Sequence, residues 1–220
     1  MKKGILFDLD GTLLDTAGDF VYFLNTLLGE YGRPALPFEI IRQSVSKGAN
    51  GLVQLGFQIT PNASDFEEKK KRLLDLYEES LGDKTTFFEG IESLLEQLNQ
   101  KDLPWGIVTN KPKRFTDPLI KKFKYLDNTP CVVSGDTLEK SKPHPLPILH
   151  AVEKLNLSPQ HSLYVGDDLR DVQAASASQM PSCVVLYGYR LPEEDPSTWG
   201  ASQIVSHAHD IYPVFEKLTS

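Results

Sequence analysis

Hydrophobic residues recur along the chain in two rhythms. Short uninterrupted apolar runs at residues 4–9, 105–109, 131–134, 163–166, 183–186 and 203–205 predict β-strands. Because these runs do not alternate apolar with polar positions, they suit parallel strands covered on both faces. Between them Ile91, Leu94, Leu95 and Leu98 repeat at helical spacing, as do Ile148, Leu149, Val152 and Leu155, and then Ile211, Val214, Phe215 and Leu218. Each set makes one apolar helix face. Right-handed strand–helix–strand crossovers of this kind predict an α/β fold with a doubly wound, Rossmann-like parallel sheet, whose ligands bind beyond the carboxyl ends of the strands.

From residue 19 to about residue 81 the strand rhythm disappears. Phe20, Phe23, Leu24 and Leu27 define one helix face, and Leu73, Leu74, Tyr77 and Leu81 another. An inserted helical domain is therefore expected at residues 16–85, within an α/β core made of residues 1–15 and 86–220. The polar, Gly-containing stretches 16–18 and 82–86 would be its hinges.

Composition narrows the function. The longest apolar runs fall far short of the roughly 20 residues that span a bilayer, and Asp8 and Asp10 arrive before any secretory apolar segment could form. A cytoplasmic protein without a membrane partner is expected. A formal charge of -7, with no Lys/Arg stripe bearing interleaved aromatics, disfavours nucleic acid. The cationic run at 69–72 follows Glu67 and Glu68, as in a solvated, ion-paired helix face. Cys131 and Cys183 sit in apolar strand-like runs, where a buried free thiol is expected.

Candidate chemistry stands where the apolar runs end. A residue period of two would put Asp8 and Asp10 on one side of an extended chain, where paired carboxylates repel unless a cation intervenes. Such hard oxygens suit Mg²⁺; an Asp-Gly turn in solvent is the alternative. Thr109 closes the run at 105–109 and Asn110 follows it, and a hydroxyl with free N–H groups near a helix start suits an anion, although taken singly such a pair is more often a turn or an N-cap. Lys142 precedes Pro143 and Pro145, which stiffen the segment leading into a helix. Asp167, Asp168 and Asp171 open an Ala-rich helix and on their own could be dipole-complementing caps.

Asp8-Leu9-Asp10-Gly11-Thr12-Leu13-Leu14-Asp15-Thr16 resembles the DxDGTLxDT signature of the haloacid dehalogenase superfamily of phosphatases, and the segments around Thr109, Lys142 and Asp167 follow in that superfamily's order. The resemblance implies that Asp8 is a nucleophile and Mg²⁺ ligand. Asp10 would be the general acid and base, binding the ion through its backbone carbonyl and supported by Thr12. Thr109 would hydrogen-bond the transferring phosphoryl group, with Asn110 beside it in the substrate-binding loop. Lys142 would hold nucleophile and phosphoryl group together, and Asp167 would complete the metal ligands. Asp168 and Asp171 would orient metal-bound waters or Lys142, although Asp168 could touch the ion. His144 is expected at the surface.

The insertion stands where the helical cap lies in the subfamily that includes phosphoglycolate phosphatases. Residues 105–115, 166–171 and 187–189, with Trp199-Gly200-Ala201, are also similar to bacterial N-acetylmuramic acid 6-phosphate phosphatases of carbohydrate metabolism. The implied partner is a small phosphorylated metabolite, 2-phosphoglycolate or N-acetylmuramate 6-phosphate, hydrolysed through an aspartyl-phosphate. Segment 44–50 interrupts the helical pattern where the family has its specificity loop, and Lys47 and Asn50, with Arg42 one turn earlier, could meet a substrate carboxylate; a solvated helix connection is the other reading. Metal-free haloalkanoate dehalogenases lack a counterpart of Asp10. A sugar phosphomutase or a catalytically silent binding protein on the same fold are the remaining alternatives. Gln179 stands where relatives commonly have Gly, so the helix before it must either place Gln179 in the left-handed conformation or end differently.

Overall fold

A computed structural model describes residues 1–219. In chain order the elements are β1 (Ile5–Phe7), β2 (Leu14–Asp15), α1 (Ala17–Glu30), α2 (Phe38–Arg42), α3 (Gly48–Phe57), α4 (Phe66–Glu79), β3 (Thr86–Phe87), α5 (Ile91–Gln100), β4 (Trp105–Val108), α6 (Lys113–Lys121), β5 (Val132–Val133), α7 (Leu146–Leu155), β6 (Leu163–Gly166), α8 (Leu169–Ala177), β7 (Ser182–Val185), β8 (Gln203–Val205) and α9 (Ile211–Leu218). Six strands form one sheet in the order β5-β4-β1-β6-β7-β8, every pairing parallel. Successive strands build outward from β1 on one side, and the chain then crosses to β6 on the other. The β1–β6 seam is thus the switch point of a doubly wound sheet, where ligands are expected at the carboxyl ends.

Burial explains the elements. All four residues of β4, β6 and β7 are buried, which removes any need for alternation. Ile91, Leu94, Leu95 and Leu98 are the buried stripe of α5, each contributing about 1.5–3 kcal/mol of burial. In α7 the stripe is Pro147, Ile148, Ala151 and Val152, whereas Leu149, expected on that face, is 41% exposed. One core cluster joins the sheet to α7 and α8 through Leu6, Val108, Ile148, Tyr164 and Ala174. Both cysteines are buried and free.

Two compact units emerge: residues 1–14, 87–188 and 194–220, and residues 15–86 with Tyr189–Glu193. The short segment Tyr189–Glu193, expected within the sheet domain, clusters with the helices instead. Its cause is visible in the Tyr189 hydroxyl, which accepts from the Thr16 and Ala17 N–H groups at 2.6 and 3.0 Å and donates to Asp15 Oδ1 at 2.8 Å. The two-residue strands β2 and β3, unmarked in the apolar pattern, pair where the chain passes between units.

In the helical unit Phe23, Leu24 and Leu27 of α1 are buried, and the Tyr77 ring of α4 stacks on Phe20 at 4.7 Å. Asp19 is buried but fully engaged, accepting from the Gly82 N–H, the Lys84 N–H and the Thr85 hydroxyl at 2.7–2.8 Å. The cationic run behaves as an ion-paired face at Lys70, Lys71 and Arg72. Lys69 differs: it is buried, pairs with Asp65, and lies 4.6 Å from the Tyr31 ring centroid. Among the described residues no helix is long and apolar enough to cross a membrane.

Candidate active site

Three strand ends of the sheet unit, those of β1, β4 and β6, and the segment leading into α7 carry the site. β1 stops at Phe7, and Asp8 continues its ladder by one bond, its N–H donating to the Val165 carbonyl at 2.9 Å. β4 stops at Val108, and the Thr109 N–H donates to Val133 at 2.9 Å. After Asp8 the chain turns rather than staying extended, with Leu13 and Leu14 N–H groups donating back to Leu9. Gly11 makes the turn possible at a φ of 86°, and any Cβ there would collide with the Asp167 carboxylate.

The turn also sets the partners of its side chains. Asp10 Oδ1 accepts from Lys111 Nζ at 2.8 Å, and its charge acts on the Asp8 carboxyl. The Thr12 hydroxyl donates to Asp167 Oδ1 at 3.2 Å. The acids that come together are Asp8, Asp167 and Asp171, each offering a carboxylate oxygen within 4.8 Å of the others.

Lys142 faces this group with its side chain 1% exposed. Its ammonium donates to Asp171 Oδ1 at 2.7 Å and to the Tyr164 hydroxyl at 2.8 Å, and lies 2.9 Å from Asp8 Oδ1. Burial alone would push the Lys142 pKa down, but the charges and hydrogen bonds of Asp171 and Asp8 hold it above the usual lysine value. Burial pushes the Asp8 carboxyl up to about 6, against the pull of Lys142 and with the repulsion of Asp171 and Asp10 behind it. One cation is thus set against three carboxylates. Asp8 Oδ1 is buried and is met by the Lys142 ammonium at ion-pair distance.

That surplus of negative oxygen fits a hard divalent cation. Asp171 is engaged at both oxygens, Oδ1 by Lys142 and Oδ2 by the Asp168 N–H at 3.0 Å, so within the three-acid group Asp8 and Asp167 would be the ligands. Asp168 is the N-cap of α8: its Oδ1 accepts from the Arg170 N–H and Nε, each at 2.9 Å, in a capping box completed by Asp171. It lies outside the three-acid group. Gly166 admits Asp171 to the sheet, since a Cβ at 166 would collide with that carboxylate.

The loop after β4 is held from several sides. Thr109 is buried and its hydroxyl accepts from the Lys111 N–H at 3.2 Å. Asn110 uses both ends of its amide on the main chain of Lys142, donating from Nδ2 to the carbonyl at 2.8 Å and accepting the N–H at 2.9 Å. Its side chain therefore fixes Lys142. His144 is exposed and accepts the Leu146 N–H through Nδ1 at 3.1 Å. Arg42, Lys47 and Asn50 belong to the helical unit. Arg42 ends α2 and lies 5.1 Å from the Tyr189 ring centroid, Lys47 ends a 3-10 turn, and Asn50 is already inside α3, so the expected loop is shorter than residues 44–50.

Lys111 and Tyr164 were passed over by the sequence reading. Lys111 stood inside a motif without a role, and Tyr164 read as one more apolar strand position. The available signal was a hydroxyl in a parallel strand, which needs a partner when buried.

A family model described as haloacid dehalogenase-like hydrolase matches residues 5–185. The chain is 37% identical over 214 residues to an N-acetylmuramic acid 6-phosphate phosphatase of Pseudomonas putida, covering 97% of this chain and 96% of that one. It is 38% identical over 210 residues to a phosphoglycolate phosphatase of Xanthomonas campestris, covering 96% and 95%. The crystal structure described as a predicted phosphoglycolate phosphatase from Haemophilus somnus superposes with a TM-score of 0.85 at 25% identity, covering 97% of each chain.

Proposed function

The chain belongs to the haloacid dehalogenase-like hydrolase family, and we propose that it is a Mg²⁺-dependent phosphatase acting on small phosphate monoesters through an aspartyl-phosphate at Asp8. The observation that carries this reading is the meeting of Asp8, Asp167 and Asp171 around one buried ammonium at the switch point of the sheet. Asp8, Asp167 and the Asp10 backbone carbonyl would hold Mg²⁺. When bound, the ion would neutralise the surplus of carboxylates and polarise the phosphoryl oxygens.

In the first half-reaction an Asp8 oxygen attacks phosphorus in line, forming one P–O bond while the bond to the leaving oxygen breaks. Asp10 gives that oxygen its proton and afterwards takes one from the water that attacks phosphorus, releasing phosphate and regenerating Asp8. Lys142 and Thr109 stabilise the equatorial oxygens, and Asn110 and Asp171 keep Lys142 in place.

The relatives' names point to carboxylate-bearing substrates, so 2-phosphoglycolate and N-acetylmuramate 6-phosphate are the candidates. Arg42, Lys47 and Asn50 would read that carboxylate. The test is phosphate release from both compounds and from p-nitrophenyl phosphate, together with trapping of a phosphorylated protein. Equal release by wild type and Asp8→Asn, or an isomerised sugar phosphate as product, would overturn the reading.

A further inference from the structure

Tyr164 lies in β6, is wholly buried, and packs in the same core cluster as Leu6, Ile148 and Ala174. A phenylalanine would fill that apolar space equally well, and a buried hydroxyl is costly unless it is hydrogen-bonded. This one has three partners, Asp171 Oδ1 at 3.4 Å among them. It accepts from Lys142 Nζ at 2.8 Å and donates to the Val108 carbonyl at 2.8 Å, one residue before Thr109. Burial, reinforced by Asp171 and Asp8, raises the phenol's pKa well above its ordinary value, so the proton stays on it.

Resting on the phosphatase reading, we propose that Tyr164 is a positioning residue whose hydroxyl holds the Lys142 ammonium in register with the Thr109 end of β4. An ammonium has three donors, and three oxygens surround this one: Asp171 Oδ1, Asp8 Oδ1 and the Tyr164 hydroxyl. Only the hydroxyl is uncharged and tied to β4. Without it the ammonium is drawn by the two carboxylates alone and shifts away from the position that serves a phosphoryl oxygen. The loss therefore falls on the chemical step rather than on substrate binding.

The decisive variant is Tyr164→Phe in the full-length, Mg²⁺-loaded protein, with p-nitrophenyl phosphate as substrate. Its kcat is expected to fall by about ten- to a hundredfold, the size of one lost hydrogen bond to a charged group, with KM within about threefold of wild type. In a Lys142→Met background the same change is expected to add less than about twofold. Unchanged kcat, or a full additional loss in the Lys142→Met background, would overturn the inference. Replacing Tyr164 by 4-aminophenylalanine, which still donates to Val108 but accepts poorly from an ammonium, is expected to give an intermediate kcat. An unchanged kcat there overturns the inference even if the Phe variant does not fold. Phosphate release by wild type and its loss in Asp8→Asn test the phosphatase reading separately.

Discussion

Replacing Asp8 should make the metal-free protein more stable. In Asp8→Asn the shape is kept and the buried negative charge removed. The Asp8 carboxyl is raised from 3.8 to about 6, chiefly by burial, and this upward shift already nets the attraction of Lys142 against the repulsion of Asp171 and Asp10. A folded-state value above the unfolded one means that the fold prefers the protonated form. Below about pH 4 both states are protonated and Asp8 costs nothing; as pH rises through about 6 the folded state loses that preference. Roughly two units correspond to about 3 kcal/mol at neutral pH, an upper figure because the new amide must also find partners. Urea unfolding in EDTA should therefore find Asp8→Asn more stable than wild type by about 1–3 kcal/mol at pH 7.5. The gap should narrow as pH falls below about 6 and close by about pH 3. Saturating Mg²⁺ should shrink or reverse it, since an ion present at a hundredfold its Kd adds about 2.7 kcal/mol to wild type alone. A variant no more stable than wild type at pH 7.5, or a gap independent of pH, would refute the idea of an overcharged site.

Three further outcomes are expected. Asp167→Ala should raise the Mg²⁺ concentration for half-maximal turnover at least tenfold, with KM for substrate little changed, and Ca²⁺ should inhibit wild type because its looser shell misplaces Asp8; full turnover in EDTA would contradict both. Gln179→Gly should stabilise the protein by about 0.5–1 kcal/mol in the same unfolding assay, because Gln179 is exposed, sits at a φ of 55° and closes α8 with Met180 N–H on Ala175 O. Replacing Lys47 and Asn50 together by Ala should lower kcat/KM for the better carboxylate substrate by about tenfold while sparing p-nitrophenyl phosphate; equal losses on both would assign the segment to folding or closure.

Much of the fold is legible along the chain. The six apolar runs, three of which end at or beside Asp8, Thr109 and Asp167, sit on strands or beside them, because strands buried on both faces must be apolar throughout. The runs are longer than the strands they contain, as at 4–9 for Ile5–Phe7, since a strand ends where its neighbour stops supplying hydrogen bonds and not where apolarity stops. For the same reason β2 and β3 left no trace: two residues paired across some seventy positions carry no period.

The site divides along a similar line. Residue types that chemistry requires, paired acids, a hydroxyl before a helix and a lysine between stiffened turns, can be read in order from the sequence. Which partner each one takes depends on where the backbone turns. The Gly11 turn alone sends Thr12 to Asp167, while Asp10 goes to Lys111. The sheet, with residues far apart in sequence brought side by side, decides that Asn110 clamps Lys142 and that the Tyr164 hydroxyl meets its ammonium. Burial then raises the Asp8 pKa, a quantity absent from any sequence pattern because it belongs to the surrounding dielectric and charges, and these exist only once the chain has folded.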